Sequence, residues 1–213
     1  MNEKTFIKGA VNSFGSYVSS CSLSKSKLYS NIQSYLQLNT HRIKWVLVFG
    51  IVFMVLYLIL QKKGCVKRKA NPITAQIYGI LLSLSCSFIF VMTLFSRSFG
   101  VDFYFRFQPF ASYYIAFAEG GIEVMLQIII NIVMFIPIGF LLPCCFKLYE
   151  KYRYVLITAV IASLSIELLQ LIFRIGLFET DDVINNVFGT ITGLVIYVVT
   201  RKMRNIVKNM NEN

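Results

Sequence analysis

The stretch 163–193, SLSIELLQLIFRIGLFETDDVINNVFGTITG, places charged and amide side chains inside two otherwise apolar segments. Each half carries a row of such residues at the spacing of one helix face. A lone charge near the centre of a membrane helix costs about 2.5–3.5 kcal/mol on insertion scales, so we expect the two rows to face each other and not the lipid. The first row is Ser163, Glu167, Gln170 and Arg174, and the second is Asp182, Asn186, Gly189 and Gly193.

The composition of the chain is that of a membrane protein. Of its 213 residues, 56% are hydrophobic and 15% are charged, and the mean hydropathy is +0.65. These values predict an all-α integral membrane protein built as a polytopic helix bundle. The net charge of +11 comes from short basic runs beside the apolar segments. Such runs are typical of topology signals and of contact with anionic headgroups, so we expect membrane lipids and no nucleic acid as partners.

Five apolar runs predict about five transmembrane helices. The first run, at residues 45–60, corresponds to only about 24 Å of helix, and four crossings would remain if it does not span. Before it, residues 1–43 form a basic, Ser-rich extension that is interpreted either as amphipathic helices on a membrane surface or as a partly ordered segment. We divide the chain into this extension, a first helix with a basic loop at 44–75, a four-helix membrane domain at 76–200 and a basic tail at 201–213, with later runs at 76–95, 124–142, 154–173 and 183–200.

Positive charge predicts the orientation of the bundle. With the extension left out, twelve Lys and Arg residues fall on one side of five crossings and three on the other, so the first side is predicted to be cytoplasmic. A third polar row then enters the third run from its external end, and Arg97 lies just beyond the second run. All three rows therefore converge at one depth near the external side. The third row is Glu123, Gln127 and Asn131.

The predicted external loop at 96–123 is rich in aromatic residues, with nine in 28 positions. Its segment 101–108 alternates apolar and polar residues, which is the period of an extended chain with one apolar face. We expect this loop to lie at the membrane interface or to cap the bundle, because aromatic rings with polar edges are common there. Binding of a substrate is the alternative function for the same residues.

Small and helix-bending residues predict close packing near the polar rows. A proline inside the third run removes a backbone donor and bends the helix. Two glycines four residues apart in the fifth run let that helix approach a neighbour closely. Thr180 or Asp181 can cap the N-terminus of the fifth helix, where acidic residues also interact favourably with the helix dipole. The helix-packing candidates are Pro137, Gly139, Gly189 and Gly193.

Three ordered segments resemble the signature segments of the VanZ-like membrane proteins: NIVMFIPIGFLLP at 131–143, SLSIELLQ at 163–170 and FETDDVINNVFGTITG at 178–193. TLFSR at 93–97 and QPF at 108–110 resemble upstream elements of that family. The resemblance covers roughly residues 93–200. It implies a multi-pass protein of the bacterial cytoplasmic membrane, in a family whose founding member is linked to low-level resistance to teicoplanin-type lipoglycopeptides. The family commonly carries an arginine nearer to the acidic run than Arg174 is here.

Three functions stay open. The first is an envelope protein that contributes to lipoglycopeptide resistance or to surface modification, with a lipid-linked envelope precursor or a lipoglycopeptide surface target as candidate partner. The second is a membrane-embedded enzyme that acts on such a lipid, with Glu167 or Asp182 as general acid or base. The third is a structural or partner-binding protein whose polar groups only join helices. The candidate polar cluster facing the outer leaflet is Arg97, Glu123, Gln127, Asn131, Glu167, Gln170, Arg174, Asp182 and Asn186.

Several familiar chemistries are not indicated by the sequence. It contains no phosphate-binding glycine loop, no Ser-His-Asp order and no nucleophile elbow. Its five cysteines form no CxxC pair, and its only histidine, His41, lies in the extension. We therefore expect neither a cofactor nor a metal, although Glu123, Glu167 and Asp182 together could hold one hard cation.

Overall fold

The computed structural model describes residues 40–66, 72–95, 97, 100, 105–118 and 121–211, so the extension predicted at 1–43 lies almost wholly outside the described residues. The described chain is a helical bundle in which five helices are long and apolar enough to cross a membrane. The elements are α1 (Thr40–Lys62), α2 (Pro72–Phe90) with a π-helical turn (Val91–Phe95), β1 (Phe105–Arg106), α3 (Ala111–Ala118), α4 (Ile122–Cys145), a 3-10 turn (Leu148–Glu150), α5 (Tyr152–Ile172), β2 (Phe178–Glu179) and α6 (Thr180–Asn211).

The all-α, five-helix prediction is confirmed, and the helices are longer than the apolar runs. The first candidate span covers Lys44–Lys62, 19 residues against the sixteen of the apolar run. Its terminal lysines are exposed, so their ammonium groups can reach the headgroups while their stems lie along the helix. The first run is therefore long enough to cross, and α6 continues as one helix from its apolar part into the basic tail.

The centre of the bundle is a close crossing of α4 and α6. A Cβ atom added at Gly193 would overlap the carbonyl oxygen of Ile136, and one at Gly189 would overlap that of Ile132. On the facing helix, a Cβ at Gly139 would overlap the carbonyl oxygen of Thr190. Only glycine lets two helix backbones approach this closely. Pro137 lies half-buried in α4, which is helical through it and through Pro143.

The helix α1 lies at the edge of the bundle and packs chiefly on α2. The Ser87 hydroxyl donates a hydrogen bond to the carbonyl oxygen of Val46 at 2.5 Å, and the Tyr57 hydroxyl donates to that of Ala75 at 3.1 Å. Gly79 makes room for the Tyr57 ring, which a Cβ at this position would overlap. Most other large side chains of α1 are exposed, as expected for a helix surrounded largely by lipid.

The connections alternate between two ends of the bundle. At one end, β1 pairs in parallel with β2, with Phe105 beside Phe178 and Arg106 beside Glu179. At the other end, Val66 forms an isolated antiparallel bridge with Phe146. We call the first the polar end (residues 97, 100, 105–118 and 173–182) and the second the basic end (residues 62–66, 146–153 and 200–211). This alternation fits five successive crossings.

Candidate functional site

The bundle buries two carboxylates near its polar end. Glu167 on α5 is 1% exposed, and Asp182 in the first turn of α6 is 6% exposed. Buried charges are kept in a folded structure only when polar groups surround them. The buried polar side chains supplied by α4, α5 and α6 are Asn131, Ser163, Glu167, Gln170, Asp181, Asp182, Asn185, Asn186 and Thr190.

Glu167 holds the segment that leads into α6. Its Oε2 atom accepts a hydrogen bond from the backbone N–H of Glu179 at 3.0 Å. The chain reaches Glu179 through a turn in which the Ile175 N–H donates to the carbonyl oxygen of Gln170 at 2.9 Å. Arg174 lies in this turn with a φ of 53°, a left-handed conformation that non-glycine residues adopt rarely. The carboxylate thus fixes the start of the acidic run relative to α5.

Gln170 joins α5 to the end of the second span. Its Nε2 atom donates a hydrogen bond to the carbonyl oxygen of Thr93 at 3.1 Å. Thr93 lies in the π-helical turn that follows α2, and such turns interrupt the regular series of helix hydrogen bonds. The amide side chain therefore binds a backbone acceptor at the point where the helix changes pitch.

Arg97 supplies positive charge beside both carboxylates. The space at Gly176 is bounded by Arg97 and Gln170, since a Cβ there would lie 3.1 Å from Arg97 Nη1 and 3.0 Å from Gln170 Oε1. The guanidinium interacts electrostatically with Glu167 and with Asp182. Within the described residues it makes no direct ion pair with either of them. The positive charge is therefore shared between two carboxylates.

The polar row of α4 contacts the row of α6. Gln127 Nε2 donates to Asp182 Oδ2 at 3.4 Å, and Asn131 also interacts with this carboxylate. Deeper in the bundle, Asn186 Nδ2 donates to the Ser163 hydroxyl at 2.8 Å. Side chains from α4, α5 and α6 thus meet, together with Arg97, as the three rows were predicted to do.

Two of the candidate residues are exposed, whereas Arg97 and Gln127 are partly buried. Glu123 and Arg174 both have exposed side chains. Among the described arginines, Arg97 interacts electrostatically with both buried carboxylates. Glu179 is a partly buried acidic residue that interacts electrostatically with both carboxylates. Its Oε1 atom lies 3.3 Å from Arg106 Nη1 in an ion pair across β1 and β2. We did not single out Glu179 from the sequence.

A second polar row on α6 was missed as a site. Asp181, one of the two candidate caps of α6, binds the backbone at the start of α3. Its Oδ1 atom accepts a hydrogen bond from the Phe110 N–H at 2.6 Å, and its Oδ2 atom accepts one from the Ser112 N–H at 2.7 Å. One helical turn later, Asn185 Oδ1 accepts a hydrogen bond from the Tyr113 hydroxyl. The segment TDDVINN does indicate this second row, because Asp181 and Asn185 are four residues apart on one helix face, next to the row of Asp182 and Asn186.

This second row attaches the short helix α3 to the bundle. The carboxylate of Asp181 satisfies two backbone donors at the start of α3, which would otherwise lack partners. Partial burial and the nearby Asp181 carboxylate raise the pKa of Tyr113 above its usual value, which keeps its hydroxyl protonated and able to donate to Asn185. Part of the acidic run is therefore structural.

Among the described residues, the site contains buried polar atoms without hydrogen-bond partners, and an apolar cavity lies next to it. Within the described residues, the buried atoms Ser112 Oγ, Asn185 Nδ2 and Asn186 Oδ1 have no hydrogen-bond partner. A cavity of about 220 Å³ between α2, α4 and α5 begins at Thr93 and Ile166 and is lined almost entirely by apolar groups. The described part of the chain brings together no group of three metal-ligating side chains. The arrangement can bind a polar group by hydrogen bonds and charge, and can exchange protons through its carboxylates.

Comparison with known proteins agrees with the family resemblance of the segments at 131–143, 163–170 and 178–193. A family model described as VanZ/LLP1 matches residues 84–201, which is more than half of the chain and contains the whole site. The chain belongs to the VanZ/LLP1 family. Protein VanZ of Enterococcus faecium is 38% identical over 82 residues, which are 37% of this chain and 48% of that protein. No solved structure matches the chain. The resemblance read from the sequence is therefore confirmed, and this VanZ/LLP1 protein is a multi-pass membrane protein.

The family match covers the part of the fold that contains the site. It begins in the middle of α2 and ends at Arg201 on α6, so α1 lies outside it. The two carboxylates, the three crossing glycines and Arg97 all lie inside it. The aligned part spans about half of the Enterococcus faecium relative, and whatever that whole protein does is not transferred to this chain by the alignment.

Proposed function

We propose that this protein acts in the bacterial cytoplasmic membrane, where its polar cluster binds the head of an envelope lipid or lipid-linked precursor at the outer leaflet and lowers the binding of teicoplanin-type lipoglycopeptides. The observation that carries the proposal is the pair Glu167 and Asp182, buried on adjacent helices with Arg97 beside both. The link to lipoglycopeptides rests on what the resemblance to the family implies.

The surroundings of the pair support a lipid ligand. A lipid-linked precursor combines a polar head with a hydrocarbon chain, and the site combines unpartnered polar atoms such as Asn186 Oδ1 with a nearby apolar cavity. Buried polar groups in a binding pocket orient a ligand, while apolar walls supply most of the buried surface. The charge asymmetry of the loops supports an external position for the polar end, because the basic end carries the larger number of lysines and arginines.

A second candidate is a membrane-embedded enzyme acting on the same class of lipid. The observation that favours it is again the carboxylate pair, because one carboxylic acid and one carboxylate beside a shared arginine can act as general acid and general base. Under this proposal Glu167 or Asp182 moves the proton, and Gln127 and Asn131 orient Asp182. Gln170 fits the structural alternative, because its side chain is already hydrogen-bonded to the backbone of Thr93.

The experiment that tests the first proposal measures binding of fluorescent teicoplanin, with vancomycin alongside, to bacterial cells that make the wild-type protein, the Glu167→Gln variant or no protein. Protein amounts are matched by immunoblot of membranes. We expect wild-type protein to lower teicoplanin binding and Glu167→Gln to abolish the reduction, because the neutral amide changes both the charge and the protonation of the site.

The control variant is Glu150→Gln, which removes a carboxylate exposed at the basic end and is expected to behave as wild type. If all strains bind teicoplanin alike, the resistance function is refuted for this chain. If Glu167→Gln and Glu150→Gln lower the effect equally, the polar cluster is not its cause. To separate binding from catalysis, lipid extracts of the wild-type, Glu167→Gln and no-protein strains are compared by mass spectrometry. A modified lipid that is present only with wild-type protein supports the enzyme.

A further inference from the structure

We propose that the cavity between α2, α4 and α6 at the basic end is a second ligand site, which binds the phosphate group of an anionic phospholipid. It lies at the opposite end of α6 from Asp182 and is independent of the function proposed for the polar cluster. The cavity has a volume of about 270 Å³. Its wall of aromatic and small residues opens toward two arginines, and the residues that matter for the argument are Tyr78, Phe140, Cys144, Tyr197, Arg201 and Arg204.

One face of α6 supplies the polar half of this cavity. Tyr197, Arg201 and Arg204 are separated by four and three residues, so their side chains leave the helix in the same direction. Arg201 also interacts with the hydroxyls of Tyr152 and Tyr197, and these two rings pack edge to face with their centres 6.2 Å apart. The tyrosines thus restrict the position of the Arg201 guanidinium. Arginines with restricted positions lose less entropy when they bind a phosphate through two parallel hydrogen bonds.

The apolar half comes from the other two helices. Phe140 and Cys144 are one turn apart on α4, and Tyr78 faces them from α2. The Phe140 ring packs edge to face on Tyr197 with their centres 6.1 Å apart, so the apolar wall joins the polar face directly. A ligand that fits both halves has an anionic head and an apolar part attached to it. The phosphate and glycerol of a phospholipid, with the first carbons of its acyl chains, have this chemistry.

The depth of the cavity fits a headgroup. Arg201 follows Thr180 by 21 residues, about 32 Å along a helix, and the hydrocarbon core of a bilayer is about 30 Å thick. If Thr180 lies at one edge of this core, Arg201 and Arg204 lie at the opposite headgroup layer. Basic pockets between transmembrane helices at this level are common sites for anionic lipid heads.

The surrounding charges favour an anion. At the basic end, the described residues contain nine lysines and arginines, and Glu150 is the single acidic residue among them. Free phosphate or a soluble phosphate ester carries the same group as the lipid head. The lateral position of the cavity between membrane-spanning helices favours the lipid as its source, and the test below separates the two.

The test uses the purified full chain in a neutral detergent. Binding of dioleoyl phosphatidylglycerol is measured by native mass spectrometry, with dioleoyl phosphatidylcholine and inorganic phosphate as separate arms. We expect wild-type protein to retain phosphatidylglycerol, and the Arg201→Gln/Arg204→Gln variant to bind it about 30-fold more weakly, as the loss of two basic residues near an anionic head predicts. The matched control, Lys63→Gln/Lys202→Gln, removes two exposed charges at the same end outside the cavity and is expected to stay within about twofold of wild type.

Each arm has a defined meaning. Equal weakening in both double variants, or equal retention of phosphatidylglycerol and phosphatidylcholine, refutes the site because binding then follows net charge or hydrophobicity alone. Binding of inorganic phosphate without retention of phosphatidylglycerol by wild-type protein supports a phosphate site but overturns its assignment to a lipid. If the Arg201→Gln/Arg204→Gln variant is not monodisperse by gel filtration, Arg204→Gln alone is measured, with an expected loss of about fivefold.

Discussion

Replacement of Asp181 by alanine should release α3 from the bundle without unfolding the protein. The carboxylate accepts the backbone N–H groups of Phe110 and Ser112 at 2.6 and 2.7 Å, and Asp181 itself is 1% exposed. A buried donor left without a partner costs about 1–3 kcal/mol, so two such donors cost about 2–6 kcal/mol. Asp181→Asn keeps one acceptor oxygen and should cost about half as much.

Hydrogen–deuterium exchange with mass spectrometry of peptides that cover residues 108–118 measures this effect directly. At 2 kcal/mol, the amide protons of Phe110 and Ser112 should exchange about 30-fold faster in Asp181→Ala than in wild type. The control is Asp182→Asn, the neighbouring residue, whose side-chain hydrogen bonds are with Gln127 and Asn131 on α4. It should leave exchange at 108–118 unchanged. Unchanged protection in a folded Asp181→Ala variant would refute the conclusion that this carboxylate attaches α3.

Three further predictions concern packing, protonation and surface charge. Gly193→Ala should destabilise the bundle by about 1–3 kcal/mol in chemical unfolding, because the added Cβ overlaps the backbone of α4. The control Gly50→Ala should cost under about 1 kcal/mol, because its Cβ meets only the flexible end of a leucine side chain at 3.2 Å. Equal losses of stability in the two variants would contradict this prediction. Tyr113 has a raised pKa, so its contribution to stability is complete below about pH 10 and is lost as the pH rises toward the folded value. Tyr113→Phe should remove that share of the alkaline loss of stability in a pH series of melting temperatures, and an unchanged series would refute it. Arg106→Gln should change stability by only about 0.2–1 kcal/mol, since its ion pair with Glu179 is partly exposed, and a larger loss in the same unfolding assay would show a deeper role for β1.

The sequence predicted the bundle well because membrane helices follow simple rules. Apolar length decides which segments can span, and each of the five runs coincides with a helix of the structure to within one residue. Spacing by three and four residues decides which side chains share a face, so the meeting of Gln127 with Asp182 and of Ser163 with Asn186 followed from periodicity. The helix-packing glycines also lie where two backbones cross.

The parts that periodicity could not predict depend on contacts across long stretches of chain. The Asp181 side chain binds residues about 70 positions earlier, and no local pattern indicates which carboxylate of a DD pair will do so. The role of Arg97 depends on a fold that carries the end of the second span to Gly176. Arg174 shares a face with Glu167 in an ideal helix, but α5 ends at Ile172 and the left-handed turn at Arg174 leaves its side chain exposed.

The close crossing with α4 makes Gly193 the point about which α6 can tilt. Gly193 lies eleven residues from Asp182 and eleven from Arg204, about 17 Å along the axis in each direction. If α6 rotates by about 5° about the close backbone contact at Gly193, its two ends move about 1.4 Å in opposite directions. A movement of that size is enough to break a hydrogen bond. A tilt of α6 at one face of the membrane would therefore move Asp182 at the other face relative to Glu167 on α5.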